Sequence, residues 1–258
     1  MTRITAMDVF DVRFPTSRTL AGSDAMNVDP NYSAAYVVLR TDGNDGLEGH
    51  GLTFTIGRGT ELCVAAAQGL ERFVVGMDTD ELFGDMGGFW RRITGDSQLR
   101  WIGPEKGVIH MATAAVVNAV WDLFAKSRGL PLWALLAGMG PREIVDLVDF
   151  RYLRDALTED EAVDRLSAKV ASRDERRAEL QRDGYPAYVT SVGWMGYDES
   201  MVRGLCERAL ADGWTALKMK VGRSAEEDAR RATLIRSVVG DDIRLMMDAN
   251  QVWDVPEA

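Results

Sequence analysis

Cysteine is scarce: the chain of 258 residues holds two, Cys63 and Cys206. They lie far apart in helical patterns. That excludes a disulfide framework or a cysteine metal site and points to buried thiols in a reducing compartment. Positive charge is also short, with 30 Lys and Arg against 40 Asp and Glu, a net charge of −10. Such a surface repels nucleic acid and anionic membranes, so neither is an expected partner. No run of like charge forms a tail. The N-terminus lacks an apolar leader core, and no stretch reads as approaching the roughly 18 apolar residues of a membrane span. The expected location is the cytoplasm. No internal repeat or low-complexity tract stands out. What the chain does have is 46% hydrophobic residues, enough to core one large domain or two ordinary ones.

β-Formers run from Ile4 to Phe14 and stop at Pro15. Thr16 to Asn31 is a polar loop, long enough to serve as a lid. Ser33 to Arg40 and Leu47 to Phe54 read as two more strands, turned by Asp42-Gly43 and Asp45-Gly46 and completing a meander. Thr60 is the expected cap of a helix running to Val74, and Asp80 to Ile93 reads as a second helix. A loop, 98–106, leads into an apolar helix from Val108 to Lys126, stopped by Gly129. A first domain is expected over 1–140. Residues 142–150 read as a strand, and Thr158 to Gly184 as a charged helical excursion opened by a capping box. From Tyr185 onward β and α alternate: a strand over Tyr188 to Val192, a helix capped by Asp198, the strand Ala216 to Val221, a helix opened by Ser224 and Glu227, and a strand ending at Asp248. That order predicts a parallel sheet with right-handed crossovers over 141–258.

Lys218 and Lys220 stand two apart on a strand and so share a face. A bare pair of this kind reads first as the solvated face of an edge strand. Alternatively, burial and mutual repulsion lower their pKa values until one serves as a base. Functional groups in parallel sheets gather at the C-terminal strand ends, where Lys220 and Asp248 both fall.

Lys218-x-Lys220 followed by Asp248-x-Asn250 resembles the mandelate racemase subgroup of the enolase superfamily. The stretches Gly22-Ser23-Asp24-Ala25-Met26-Asn27, Trp101-Ile102-Gly103-Pro104-Glu105-Lys106, Gly184-Tyr185-Pro186-Ala187-Tyr188 and Met246-Met247-Asp248-Ala249-Asn250-Gln251 are most similar to L-fuconate dehydratases. The resemblance implies an α+β capping domain followed by a (β/α)₈ TIM-type barrel. It implies a Mg²⁺-dependent hydro-lyase that converts L-fuconate to 2-keto-3-deoxy-L-fuconate and water. By position, Lys220 would be the base and Lys218 would hold the acid's carboxylate. Asp248 would be the first Mg²⁺ ligand and Asn250 a substrate contact, with Ser23, Asp24 and Asn27 reaching the substrate from the lid. Such enzymes commonly assemble through the capping domain, so a homo-oligomer is expected of the full-length enzyme.

A complete barrel takes about 250 residues by itself. Only three barrel strands are expected here, and the resemblance's two further metal carboxylates and its histidine–aspartate pair find no match. His50 and His110, the two histidines, read as structural. The expectation is therefore an incomplete barrel, with no dehydratase activity in this chain alone. Two other readings stand beside it. One is a different acid-sugar dehydratase or racemase of the subgroup, and the other is a non-catalytic binding or oligomerisation module. Trp194 and Tyr197, just after a strand, are open to lining a substrate or to packing.

Overall fold

The computed structural model describes residues 2–43, 46–103 and 105–258. The expected turn residue Asp45 and Pro104 of the quoted loop lie outside that set. The chain divides into two units. The first joins Met1–Val12 to Ser33–Asp183, and the second joins Arg13–Tyr32 to Gly184–Ala258.

The first unit begins as a three-stranded sheet of β1 (Ile4–Arg13), β2 (Ser33–Thr41) and β3 (Glu48–Thr55), in that order. Strands β2 and β3 are antiparallel, with Ser33 opposite Thr55 and Arg40 opposite Glu48. Ala35, Val37 and Leu39 alternate inward and are fully buried. Helices α1 (Thr60–Gln68), α2 (Thr79–Gly84), α3 (Met86–Gly95) and α4 (Val108–Ser127) follow. The reading of a single helix over Asp80 to Ile93 is corrected to two. Asp85 leaves the helical region at φ −140° and restarts the chain as the cap of α3, its carboxylate accepting Gly88 N–H at 2.8 Å. The first helix is capped by Gly59 rather than Thr60, whose hydroxyl turns back to Gly57 O at 2.6 Å.

Helix α4 is the centre of this core. Ala112, Ala115, Val116, Ala119 and Val120 are wholly buried on it, with Leu123 nearly so. By length and composition it is apolar enough to cross a membrane, which corrects the reading that no stretch approaches that length. Its apolar residues are buried against the unit's sheet and helices. The glycines of β3 explain the closeness. A Cβ on Gly49 would lie 2.3 Å from Ala119 O, and one on Gly51 only 2.1 Å from Ala115 O. Glycine is thus what lets the helix rest on the strand's backbone. The two histidines have structural settings: Tyr36 lies 3.1 Å from His50 Nδ1, and the His110 ring meets Trp90 edge-on at 5.5 Å.

Helices α5 (Leu132–Gly138), α6 (Pro141–Asp146), α7 (Glu159–Ser167) and α8 (Arg173–Asp183) complete the unit. The strand expected over 142–150 is a helix instead, with Pro141 at its first turn and Glu143 reaching back to Gly140 N–H at 2.6 Å. In this part of the chain the first unit ends at Asp183. The Arg173 guanidinium donates to Gly138 O and Met139 O at 3.2 and 3.0 Å, tying α8 to the end of α5.

The second unit carries β4 (Val189–Gly193), α9 (Glu199–Ala211), β5 (Ala216–Lys220), α10 (Ala225–Val239) and β6 (Arg244–Asp248). The strands form a parallel sheet ordered β4-β5-β6, three strands among the described residues. Asp198 caps α9 through Met201 N–H, and Ser224 caps α10 through Glu227 N–H. Leu217, Met219, Val221, Cys206 and Ile235 form the fully buried heart of the core. Burial, joined by Glu207 and opposed by Arg203, pushes the Cys206 thiol up to about 11. The folded chain should therefore leave Cys206 unmodified by a thiol reagent at pH 8, while the unfolded chain reacts within minutes. The sign for stability follows: the unfolded thiol ionises first, so this unit loses stability as pH rises from about 8.5 towards 11. Native-state reaction as fast as the unfolded rate would refute the burial.

Candidate active site

Strand β5 is central in its sheet and parallel to both neighbours, so its C-terminal end is flanked by two other strand ends. Register sets Lys218 beside Met246 and Lys220 beside Asp248. Lys220 Nζ donates to Asp248 Oδ2 and to Asn250 Oδ1, both at 2.8 Å. Lys218 Nζ lies 3.0 Å from the same Asp248 oxygen and donates to the Tyr188 hydroxyl at 3.2 Å. Each ammonium also faces a ring: Lys218 lies 4.9 Å from the Tyr188 centroid, and Lys220 5.7 Å from that of Trp194.

The two lysines therefore do not face one another uncompensated. Burial alone would lower the Lys218 pKa, but its hydrogen bonds to Asp248 and Tyr188 outweigh burial and raise it. This corrects the expectation, for Lys218, that burial and like charge win. Burial likewise would raise the Asp248 pKa. Hydrogen bonds from Lys220, Lys218 and the Asn250 N–H reverse that and bring it to about 2. Asp248 is a carboxylate at any physiological pH.

The chain beyond β6 is bent to make this arrangement. Asn250 and Gln251 both adopt left-handed backbone, with φ of 47° and 70°. Asn250 N–H closes onto Asp248 Oδ1 at 3.1 Å. Asparagine tolerates that region better than most residues, and glutamine there is strained. The turn returns the Asn250 amide to Lys220. An open cleft of ≈ 680 Å³ lies over Tyr188, Lys218, Asp248, Asn250 and Trp253.

The loop Arg13–Tyr32 belongs to this same unit. Ser23 is buried, its Oγ donating to Leu20 O at 2.7 Å and accepting Gly196 N–H at 2.9 Å. Its carbonyl accepts Met195 N–H at 3.1 Å. Asp24 Oδ1 gathers Met26 N–H, Asn27 N–H and the Asn27 side-chain amide. These polar atoms shape the loop and fasten it to the segment after β4. Tyr32 meets the Trp194 ring edge-on at 6.5 Å. Of the seven expected site residues, the structure joins Lys218, Lys220, Asp248 and Asn250 in one hydrogen-bonded group. Ser23, Asp24 and Asn27 form a second group, in the loop.

Tyr188 belongs to the first group, and nothing in its local sequence assigned it a role. Its signal is spatial, since it precedes β4 and meets Lys218 only across the sheet. Helix α10 adds two more unassigned residues, Asp228 and Arg231, both buried beneath the strand ends.

Among the described residues no group of three or more His, Cys, Asp and Glu stands together. Asp248 is a hard, ionised oxygen donor of the kind a divalent cation takes, and it fits as one ligand of such an ion.

Two family profiles match the chain: the "Mandelate racemase / muconate lactonizing enzyme, N-terminal domain" over residues 12–137 and the "Enolase C-terminal domain-like" over 201–258. The chain is 55% identical over 256 residues to "Mitochondrial enolase superfamily member 1" of Bos taurus, covering 99% of this chain and 58% of that protein. It is 50% identical over 258 residues to "L-galactonate dehydratase" of Hypocrea jecorina, covering 99% and 57%. The chain thus spans less than two thirds of the length of these relatives. Among solved structures, the human "Mitochondrial enolase superfamily member 1" superposes with a TM-score of 0.95 at 52% identity, over 99% of this chain and 58% of that one. An "L-talarate/galactarate dehydratase" liganded with Mg and L-glucarate shares the fold, with a TM-score of 0.63 at 22% identity.

Proposed function

Because the chain belongs to the mandelate racemase / muconate lactonizing enzyme group of the enolase superfamily, we propose that it supplies the base and the first metal ligand of an acid-sugar hydro-lyase. The observation that carries this reading is the convergence of Lys218, Lys220 and Asn250 on the Asp248 carboxylate at the ends of parallel strands.

A proton α to a carboxylate is weakly acidic, and removing it spreads negative charge over the carboxyl oxygens. Positive groups fixed in advance lower that barrier. Lys218, held charged by Asp248 and Tyr188, is placed to pair with the acid's carboxylate. Lys220, as the neutral amine, takes the proton on C2. The electron pair left behind forms the C2–C3 double bond as the C3–O bond breaks, and the hydroxyl departs as water with the equivalent of the proton taken from C2. The enol then becomes the 2-keto-3-deoxy acid. Asn250 orients the acid by hydrogen bonds, and Ser23, Asp24 and Asn27 hold the lid over it. A Mg²⁺ ion bound through Asp248 would supply further charge to the enediolate.

The proposed substrates are L-fuconate and L-galactonate. They share configuration from C2 to C5 and differ in one hydroxyl at C6, so the same reacting carbons would be presented by either. The relative named for L-galactonate supports the second, and the sequence resemblance the first. The described site holds one metal carboxylate, so these 258 residues alone should show no turnover of either acid with MgCl₂ present. A chimera in which this chain replaces the matching part of the L-galactonate dehydratase should dehydrate both acids and lose activity in EDTA. Turnover by the isolated chain, or an inactive but folded chimera, would overturn the reading.

A further inference from the structure

Arg231 sits on α10, not on a strand, and is 6% exposed. Buried guanidinium groups normally face carboxylates. This one instead spends its fork on backbone. Its Nη1 donates to Lys220 O at 2.6 Å. Its Nη2 donates to Gly193 O at 3.1 Å and Trp194 O at 3.0 Å. The three acceptors are the carbonyls at the C-terminal ends of β4 and β5, including those of the two residues that face each other across the site.

The peptide joining Lys220 to Val221 is therefore held from both sides. Arg231 takes its oxygen, and its N–H donates to Asp248 O at 3.1 Å. One residue further, Gly222 N–H donates to Asp228 Oδ2 at 2.7 Å, one turn before Arg231 on the same helix face. Gly222 has φ +111° and is walled in: a Cβ there would lie 2.3 Å from Val252 and 3.2 Å from Ala25. The strand exit has one path, and α10 grips it at consecutive peptides.

We infer that Arg231 is a positioning residue, which fixes the backbone from which the Lys220 and Trp194 side chains depart and so sets the Lys220 amine against Asp248 and Asn250. Only a planar fork reaches three carbonyls at once; a lysine ammonium on a flexible stem reaches fewer of them. The inference deepens the proposed function, since the position of Lys220 matters because it is the base.

The test needs no turnover, so its failure is distinguishable from failure of the proposed chemistry. Lys106, Lys126, Lys169, Lys218 and Lys220 are the only lysines of the chain. Acylation of each by an N-hydroxysuccinimide ester of acetate, timed by mass spectrometry, reports how firmly each amine is held. Cys206, buried in the same unit, reports general loosening when a thiol reagent is included. In Arg231→Met, Lys220 should acylate at least about fivefold faster, with Lys106, Lys126, Lys169 and the Cys206 thiol unchanged. Arg231→Lys should be intermediate. Asp228→Asn keeps an acceptor for Gly222 and should match the parent chain. An unchanged Lys220 rate in Arg231→Met overturns the inference. So does a parallel rise at Cys206, which would make Arg231 merely a stabilising residue. An Asp228→Asn rate equal to that of Arg231→Met would assign the effect to the Asp228 charge beneath Gly222 and overturn it too.

Discussion

Replacing Lys220 by Met in the active chimera should lower exchange of the substrate's C2 proton with D₂O by at least about a thousandfold. General-base groups contribute about 10²- to 10⁴-fold, and at this site Lys220 is the amine bonded to both Asp248 and Asn250. Met keeps the length of the stem and removes the amine. Binding of the acid should change little, because Lys218 retains its charge and its partners. Lys220→Arg should be equally inactive despite its charge, since a guanidinium does not give up a proton near neutrality. NMR of the C2 signal in D₂O reads exchange apart from dehydration. Exchange within tenfold of the parent in either variant would move the base elsewhere.

Gly51→Val should be the most damaging single change in the first unit, with a loss of at least about 3 kcal/mol, where overpacking usually costs 1–3. A Cβ there meets Ala115 O at 2.1 Å and Ala119 N at 2.4 Å, and both are backbone of α4. No side chain can rotate away, so the helix must lift from the strand and open the core around Val116, Val120 and Leu123. Gly204→Ala on α9 is the contrast. Nothing lies within 4 Å of its added Cβ, and the site is exposed within a helix. It should stabilise the second unit by about 0.5–1 kcal/mol. Urea titrations of both variants check this, and a Gly51→Val protein as stable as its parent would refute the close contact.

The residues that the sequence made legible are those whose meaning is local. The alternation of Ala35, Val37 and Leu39 marks β2, and Asp198 and Ser224 mark the starts of α9 and α10. The lysine pair, Asp248 and Asn250 are legible through the family resemblance that their motif carries, since a bare pair of lysines reads first as a solvated strand face. What was misread depends on partners distant in sequence. Ile144, Val145 and Val148 suit a short strand as well as a helical turn, and Pro141 with Glu143 decides for the helix. The upward pKa shift of Lys218 comes from a carboxylate on the next strand and a phenol before β4. Ser23 and Asp24 look like free polar groups in a loop, yet their hydrogen bonds run inward. Arg231 is hidden for the same reason: one arginine in a charged helix gives no sign that it is buried.

The bond between Ser23 and Gly196 spans 173 positions. Its cost is one of time. A ribosome adding about 5–20 residues per second needs roughly 10–35 seconds to make Gly196 after Ser23. During that interval the loop is made without the segment it fastens to, and the sheet and α4 of the first unit are completed before that segment appears. The nascent chain should accordingly acquire protease resistance in two stages, with the stretch near Ser23 the last early-made segment to become protected.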